Sequence, residues 1–350
     1  MNSLIIKYLG LGFILFSFGL YYNYTKGTFK LTKTSLLILF LYVLIVIHYL
    51  GVGLSFDREN SLNLLFGFVL FTALALMSNV IDSSILFYWM NRILLVTSII
   101  YVMVNFVAYI FFKDRLTMEG NFSGIADNPN MLGSYVAVVG VPLYLKGLRF
   151  QWKARFLFTL LITLISFFVV YKTQSRASLL VLFCVIAFAF RKFIFRHWVL
   201  SICFLIVICV VLFPLIVNKY EGQEIFGTRK YLYSLRLEAI SERPYLGWGL
   251  NYKGSNTYDE YNVFPPLEKG NTLLQILEDL GIILGGIFIL LMTYVIYSTV
   301  LRLSKIPSME PFALILLGSG VHLMFETWLF SFASILSIIF WSILFWQRQK

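Results

Sequence analysis

Apolar segments that approach the membrane-spanning length of about 20 residues recur along almost the whole chain. Eleven of them occur, at residues 4–22, 35–54, 61–80, 93–112, 131–148, 156–171, 178–190, 198–217, 281–300, 311–329 and 331–346. Hydrophobic residues make up 59% of the sequence and charged residues only 13%, which excludes an ordinary water-soluble domain of this length. The sequence therefore predicts an all-α, polytopic integral membrane protein with about 11 transmembrane helices, with ten or twelve as the alternatives.

The net charge of +11 is distributed unevenly between the loops. If the loop around Lys30 is cytoplasmic, alternation of the spans places fifteen basic residues but only two acidic ones, Asp82 and Glu310, on that side. This is the positive-inside pattern of membrane proteins, so the charge does not indicate a nucleic-acid partner. The expected topology has the N-terminus outside and the tail, residues 347–350, in the cytoplasm.

The three cysteines, Cys184, Cys203 and Cys209, all fall in predicted spans. They lack the paired spacing of zinc ligands and the context of a disulfide framework. We therefore expect packing roles for them, with no metal site and no cofactor.

Two histidines fall inside predicted spans, where ionisable side chains are costly. His48, in the second span, fits either a proton relay or a neutral ring hydrogen-bonded to a neighbouring helix, and the second interpretation is favoured. His322 and Glu326, near the outer end of the tenth span, are one helical turn apart and can share a face. A structural hydrogen bond and catalysis both remain open for that pair.

Three arginines recur at every seventh position in the largest external segment, residues 218–271. On a helix, Arg229, Arg236 and Arg243 drift by only about 20° per heptad and form one stripe. Apolar residues flank this stripe, so the guanidinium groups lie on the face that should be buried, which costs free energy unless anions meet them. The alternative is a surface helix whose arginines extend to water or pair with nearby acids. Pro244 ends this amphipathic helix.

The same external segment is rich in aromatic side chains with polar tips, namely Tyr245, Trp248, Tyr252, Tyr258 and Tyr261. Exposed rings of this kind can stack on sugars while Asn and acidic side chains bond the hydroxyls. They are also common at a membrane interface.

Two shorter external segments end where helices begin. In residues 113–130, Asn128 can cap the fifth span and Pro129 suits its first turn, although a compact polar loop can also line a cavity. Arg176 lies at the start of the seventh span, where a cation opposes the positive end of the helix dipole. Because that placement is unfavourable for stability, Arg176 is a candidate functional residue.

The apolar stretch that follows Asn271 is too long for one span. Residues 272–280 are predicted to form a short interfacial or re-entrant helix. Gly281 then permits the chain to turn into the ninth span.

Four ordered motifs within residues 120–330 resemble the bacterial O-antigen ligase and O-antigen polymerase superfamily. They are SG followed by NPN before a helix, SR at the outer start of another helix, GTR followed fifteen residues later by PYLGWG, and Asn271 opening TLLQILEDLGIIL. Each motif is short, but their order, spacing and common external placement make the match fairly specific.

The resemblance implies a GT-C-like, metal-independent membrane glycosyltransferase. Such proteins transfer a polyprenyl-pyrophosphate-linked glycan to an acceptor hydroxyl and release the lipid pyrophosphate. Arg229 and Arg176 match the family arginines, and arginine offers bidentate, permanently charged donors to a departing pyrophosphate. The expected partners are the glycan donor, the glycan acceptor, the bilayer and other polysaccharide-assembly membrane proteins.

Seven further residues are candidates for substrate binding. Tyr233 takes the position of a family Trp, whereas Arg236 and Arg243 match no family position and are chosen from the stripe. The full set is Arg236, Arg243, Tyr233, Trp248, Asn128, Asn130 and Asn271.

One departure from the family pattern concerns the base. Ligase-type members carry His immediately before the asparagine, whereas this chain has Gly270 before Asn271. A base for the acceptor hydroxyl would then come from a carboxylate such as Glu268, Asp259 or Glu260, or from elsewhere, unless leaving-group stabilisation suffices.

The predicted function is a polysaccharide polymerase on the outer face of a bacterial plasma membrane, because the missing histidine favours polymerase over ligase. A ligase that attaches finished glycan to a terminal acceptor is the first alternative. A non-enzymatic flippase ranks third, because it should place cations in a central path between related halves. The expected organisation is four N-terminal spans in residues 1–112 and a ligase/polymerase-like domain in residues 113–346.

Overall fold

The computed structural model describes residues 33–52, 58–118, 120–126, 128–147, 153–197, 227–249, 270–332 and 334–345. The strands among them form one short antiparallel hairpin, Thr117–Met118 paired with Asn121–Phe122. The α-helices are α1 (Lys33–Val52), α2 (Arg58–Val80), α3 (Ser83–Phe112), α4 (Pro129–Tyr135), α5 (Val141–Gly147), α6 (Lys153–Thr173), α7 (Arg176–Ala189), α8 (Arg191–Arg196), α9 (Gly227–Glu242), α10 (Thr272–Leu303), α11 (Glu310–His322) and α12 (Ile335–Phe345). The predicted spans 4–22 and 198–217, and Glu268, lie outside the described residues.

Three described helices have the length and apolar composition to cross a bilayer: Ser84–Arg115, Ala154–Thr173 and Thr272–Leu303. Their outer faces carry large exposed apolar side chains, such as Ile100, Leu157 and Leu290. Such surfaces suit contact with lipid, where no polar partner is required. The all-α membrane class is thereby confirmed, while the count of eleven spans stays a prediction.

Helix α11 lies at the centre of the described bundle. Phe312, Ala313 and Leu316 are buried in it, and the helix packs against α5, α7 and α10. A Cβ added at Gly318 would lie 3.1 Å from the Val185 side chain of α7, so the missing side chain lets α7 and α11 approach closely. Small residues commonly allow this kind of contact between membrane helices.

The last two helices are shorter than the sequence predicts. Helix α11 ends at His322, and a non-helical stretch precedes α12, where spans over 311–329 and 331–346 were expected. The side chain of Asn63 in α2 provides hydrogen-bond partners for the backbone of this stretch. Asn63 Nδ2 donates to the Phe330 carbonyl, and Phe332 N donates to Asn63 Oδ1. Non-helical backbone is tolerated at membrane depth when protein groups replace the lost helical hydrogen bonds, and hydropathy does not reveal that replacement.

Helix α10 contains the predicted turn at Gly281, which separates a first segment, residues 272–280, from the long apolar segment that follows. Gly281 has φ 77° and ψ 168°, a conformation outside the helical region. A Cβ there would lie 2.2 Å from the Tyr245 carbonyl oxygen, and Ile282 N donates to the Pro244 carbonyl at 2.7 Å. Glycine is therefore required both for the backbone conformation and for the close approach of the 244–249 loop.

We expect Gly281→Ala to destabilise the protein, because a side chain in this backbone region costs about 1–3 kcal/mol before the steric clash is added. Gly286→Ala is the matched control, since a Cβ at Gly286 meets no atom within 4 Å. Thermal unfolding of the detergent-solubilised protein should show a lower melting temperature for Gly281→Ala alone. Equal melting temperatures for the two variants would contradict the assigned role.

Candidate glycan-transfer site

The segments that the sequence places outside the membrane meet at one end of the bundle. Trp248 N donates to the Glu278 carbonyl at 2.9 Å, and Thr272 N donates to the Leu323 carbonyl at 3.0 Å. At the opposite end, Arg191 of α8 pairs with Glu310 of α11 at 3.5 Å, and both were expected inside. The alternation of the spans, and which end faces outward, stay predictions.

His48, in the last turns of α1, contacts the 244–249 loop at this end of the bundle. Its Nε2 lies 2.6 Å from the Leu246 carbonyl oxygen, and because a carbonyl only accepts, Nε2 carries the proton. His48 thus has the hydrogen-bond partner that the favoured interpretation requires, on a loop rather than on a neighbouring helix.

Helix α9 has the amphipathic character that the sequence predicts. Leu235 and Ala239 are buried, whereas Ser234 and Glu238 face solvent. The helix ends at Glu242, two residues before the proline that was expected to stop it. Its buried face rests on the first segment of α10.

The two described side chains of the arginine stripe have protein partners. Arg236 is only 1% exposed, and its Nη1 donates to Glu278 of α10 in a buried ion pair. The guanidinium of Arg243 lies 4.2 Å from the centroid of the Trp248 ring. Arg236 therefore pairs with a nearby acid, which is one of the alternatives that the sequence left open.

Trp248 is buried rather than exposed, contrary to the sequence interpretation of this loop. Only 7% of the residue is exposed, because the ring packs against Arg243 and its Nε1 donates to the Ala239 carbonyl at 2.8 Å. Among the described residues of this loop, 244–249, the exposed ring is Tyr245, at 72%, while Trp248 closes the end of α9. Tyr252, Tyr258 and Tyr261 lie outside the described residues.

Asn128 and Asn271 both cap helices. Asn128 Oδ1 accepts from Asn130 N at 2.8 Å at the start of α4, as predicted. Asn271 Oδ1 accepts from Leu273 N at 2.8 Å at the start of α10. Gly270, with φ 62°, brings the chain to this cap beside Tyr233, since a Cβ at Gly270 would lie 4.0 Å from the tyrosine ring.

The two candidate catalytic arginines both lie at helix starts. Arg176 is the first residue of α7 and is exposed, and Ser175 caps the helix by accepting from Ser178 N at 3.4 Å. Arg229 lies in the first turn of α9. Their convergence on one substrate stays a prediction, as does the role of Glu268, which lies outside the described residues.

The beginning of α7 touches α4. A Cβ at Gly133 would lie 2.7 Å from Ser178 Oγ and 2.9 Å from Thr173 Oγ1, so only a glycine permits this spacing. The contact places Arg176 beside the helix that Asn128 caps.

A cavity of about 630 Å³ opens between α3, α4 and the non-helical stretch after α11. Its polar lining includes Asn128, Asn130, Ser134, His322, Glu326 and Thr327. The volume lies in the range of about 300–1,000 Å³ that is usual for ligand sites. The predicted pair of His322 and Glu326 therefore lines the same cavity as Asn128, which caps α4, and Asn130, which lies in the first turn of α4.

A chain of hydrogen bonds crosses the wall of this cavity. Trp328 Nε1 donates to His322 Nδ1 at 2.7 Å, and His322 Nε2 lies 2.6 Å from Ser134 Oγ. Because an indole nitrogen only donates, Nδ1 accepts, and the proton of the neutral ring resides on Nε2. Nε2 therefore donates to Ser134, whose hydroxyl donates in turn to the Asn130 carbonyl. In this tautomer His322 cannot take the Ser134 proton, so the pair is not an activated nucleophile.

Sequence reasoning missed Ser134 and Trp328. Both fall in stretches that hydropathy assigns to continuous spans, and neither belongs to a recognisable motif. The unusual presence of His322 and Glu326 in an apolar stretch was the available signal for this cavity.

Within the described ranges, no group of three or more His, Cys, Asp and Glu side chains is arranged to hold a metal ion.

Residues 161–289 match a family model described as O-antigen ligase. The resemblance to the O-antigen ligase superfamily is confirmed. No curated protein matches the chain.

The matched segment, residues 161–289, is called the O-antigen ligase region below. It contains both candidate arginines, Arg176 and Arg229, and Asn271, the cap of α10. It runs from α6 through α9 to the first part of the long segment of α10. The cavity walls in α3 and α4, and those after α11, lie outside it. The cavity is therefore a feature of the structure that adjoins the O-antigen ligase region.

We expect Glu278→Ala to destabilise the O-antigen ligase region strongly, because it leaves the Arg236 charge buried without its carboxylate. Breaking one side of a buried pair typically costs about 3–5 kcal/mol, whereas replacing both partners by apolar residues is often tolerated. The double variant Arg236→Met with Glu278→Leu should therefore recover much of the melting temperature lost in Glu278→Ala. A Glu278→Ala protein that melts like the wild type would contradict this assignment.

Proposed function

We propose that this protein is a membrane glycosyltransferase that polymerises lipid-linked glycan repeats on the outer face of the bacterial plasma membrane. It transfers a polyprenyl-pyrophosphate-linked glycan to a hydroxyl of another lipid-linked repeat unit. The observation that carries the proposal is the O-antigen ligase match over residues 161–289, which includes Arg176, Arg229 and Asn271. In this proposal the chain forms eleven spans in a GT-C-like arrangement, with residues 218–271 outside and the C-terminus in the cytoplasm.

The reaction breaks the bond between the anomeric carbon and the pyrophosphate oxygen, and the acceptor hydroxyl forms the new glycosidic bond. Negative charge grows on the departing pyrophosphate, so cations and N–H donors aimed at it lower the barrier. Exposed Arg176 supplies a bidentate guanidinium. Arg229 lies in the first turn of the 16-residue helix α9, where backbone N–H groups and the helix dipole also favour an anion.

The proton of the acceptor hydroxyl requires a base or an orienting group. Because Gly270 replaces the histidine of ligase-type members, we assign this role to an external carboxylate, with Glu268 as the first candidate. The same replacement favours polymerase over ligase. Ligase activity remains the second candidate, because the matching family model is described as O-antigen ligase.

Deletion of the gene, followed by gel analysis of surface and lipid-linked glycans, tests the proposed function. Polymerase activity predicts single repeat units in the deletion strain, whereas ligase activity predicts long chains that lack their terminal acceptor. Accumulation of lipid-linked units on the inner side would instead indicate a flippase.

We expect Arg176→Ala and Arg229→Ala each to reduce the polymerisation rate about 10²–10³-fold, because each removes a donor to the leaving pyrophosphate. Lysine at either position should restore only part of the rate, since an ammonium lacks the bidentate fork. Glycan chain length would be measured at matched protein levels, with Arg115→Ala, which removes another exposed cation, as the control. Wild-type polymer from both arginine variants would place the donor site elsewhere.

A further inference from the structure

We propose that the cavity between α3, α4 and the stretch after α11 binds the sugar end of the acceptor glycan. The inference rests on the proposed function for the identity of the sugar chain, and it concerns residues outside the O-antigen ligase region. The cavity has a volume of about 630 Å³, and its lining includes a carboxylate, amides, hydroxyls and aromatic rings. That volume accommodates a saccharide rather than a single ion.

The chemistry of the lining suits a carbohydrate. Sugar hydroxyls both donate and accept, and Glu326 can accept from them while Asn130 and Thr327 can do both. The rings of Tyr135 and Trp328 supply the flat apolar faces that pack against the C–H side of a sugar ring. The apolar part of the lining would also suit a polyprenyl chain, but such a chain offers no hydrogen-bond partner to the carboxylate and the amides.

The hydrogen-bond chain of Trp328, His322 and Ser134 holds the cavity in one shape. The Trp328 indole nitrogen is engaged by His322, and the ring packs edge-to-face on Phe340, with 5.8 Å between centroids. Trp328 can therefore offer a ligand its ring surface but not its N–H. Because His322 donates to Ser134, the two side chains position α4 against the end of α11. A site whose walls are fixed in advance loses less free energy on binding.

The cavity also adjoins the starts of α7 and α10, where the proposed glycan-donor site is built. Thr272 Oγ1, next to the Asn271 cap, donates to the Glu326 carbonyl, so the start of α10 abuts the cavity wall. On another side, the close contact of Gly133 with Ser178 joins α4 to the helix that begins with Arg176. An acceptor held in the cavity is therefore adjacent to the segments on which the proposed pyrophosphate site is built. In this arrangement Glu326 orients an acceptor hydroxyl, and Glu268 keeps the role of base.

Protection of a cysteine in the cavity tests this inference directly. Thr327→Cys would be placed in a full-length protein whose native Cys184, Cys203 and Cys209 are replaced by alanine. Thr117→Cys, on the exposed hairpin, is the matched control. The alkylation rate of each purified variant would be measured with repeat-unit oligosaccharide freed of lipid and pyrophosphate, and separately with polyprenyl pyrophosphate alone.

We expect oligosaccharide at ten times its Kd to slow alkylation of Thr327→Cys about tenfold, since the ligand-free fraction of the protein equals 1/(1 + [L]/Kd). The rate at Thr117→Cys should not change. An unchanged rate at Thr327→Cys, or equal slowing at both positions, would overturn the inference. Protection by polyprenyl pyrophosphate but not by oligosaccharide would assign the cavity to the lipid instead.

A cellular experiment separates failure of this inference from failure of the proposed function. Thr327→Trp should fill the cavity and stop elongation, whereas Thr117→Trp, on the exposed hairpin outside the cavity, should retain long glycan. If Thr327→Trp makes normal polymer while Arg176→Ala does not, the cavity inference fails and the proposed function stands. If deletion of the whole gene leaves the glycan unchanged, the proposed function fails, and the cysteine-protection result still decides whether the cavity binds sugar.

Discussion

Hydrogen bonds that join non-helical segments to neighbouring helices hold the candidate site together. The 244–249 loop donates to carbonyls in the first segment of α10 and accepts from Ile282, so the loop and the turn at Gly281 depend on each other. The stretch after α11 is held in the same way by Thr272 and Asn63. Where such a segment lies at membrane depth these bonds are obligatory, because lipid offers the backbone no alternative partner. The irregular segments are therefore fixed parts of the site rather than loose connections.

The arginines near the candidate site have different surroundings. Arg236 is buried with Glu278 and joins α9 to α10, whereas Arg243 lies over the face of Trp248 at the end of α9. Arg176, in contrast, is exposed at the start of α7. A buried charge with a protein partner contributes to shape. Arg176 lies at the helix start where we propose that the pyrophosphate binds. Equal spacing along the helix therefore did not produce equal roles.

The site has two kinds of surface with different chemistry. The O-antigen ligase region carries the helix starts and arginines on which the proposed pyrophosphate site is built. The adjoining cavity provides the amides, hydroxyls, carboxylate and aromatic rings of the proposed sugar site. Helix α4 contacts the start of α7, and the start of α10 contacts the cavity wall, so in the proposed reaction their caps, Asn128 and Asn271, would set the distance between donor and acceptor. A transferase needs that distance controlled, because reaction requires the two substrates in near contact.

The sequence by itself determined the membrane class, the amphipathic helix, the helix starts at Asn128 and Arg176, and the turn at Gly281. Each of these depends on local properties: apolar length, residue periodicity, capping and backbone conformation. Only the tertiary structure decided that Arg236 pairs with Glu278, that Trp248 is buried, and that α11 stops at His322. Those outcomes depend on partners distant in the sequence, and no local pattern reveals which carboxylate, carbonyl or ring a side chain will meet. The cavity has the same origin, since Ser134 and His322 are 188 positions apart and only packing brings them together.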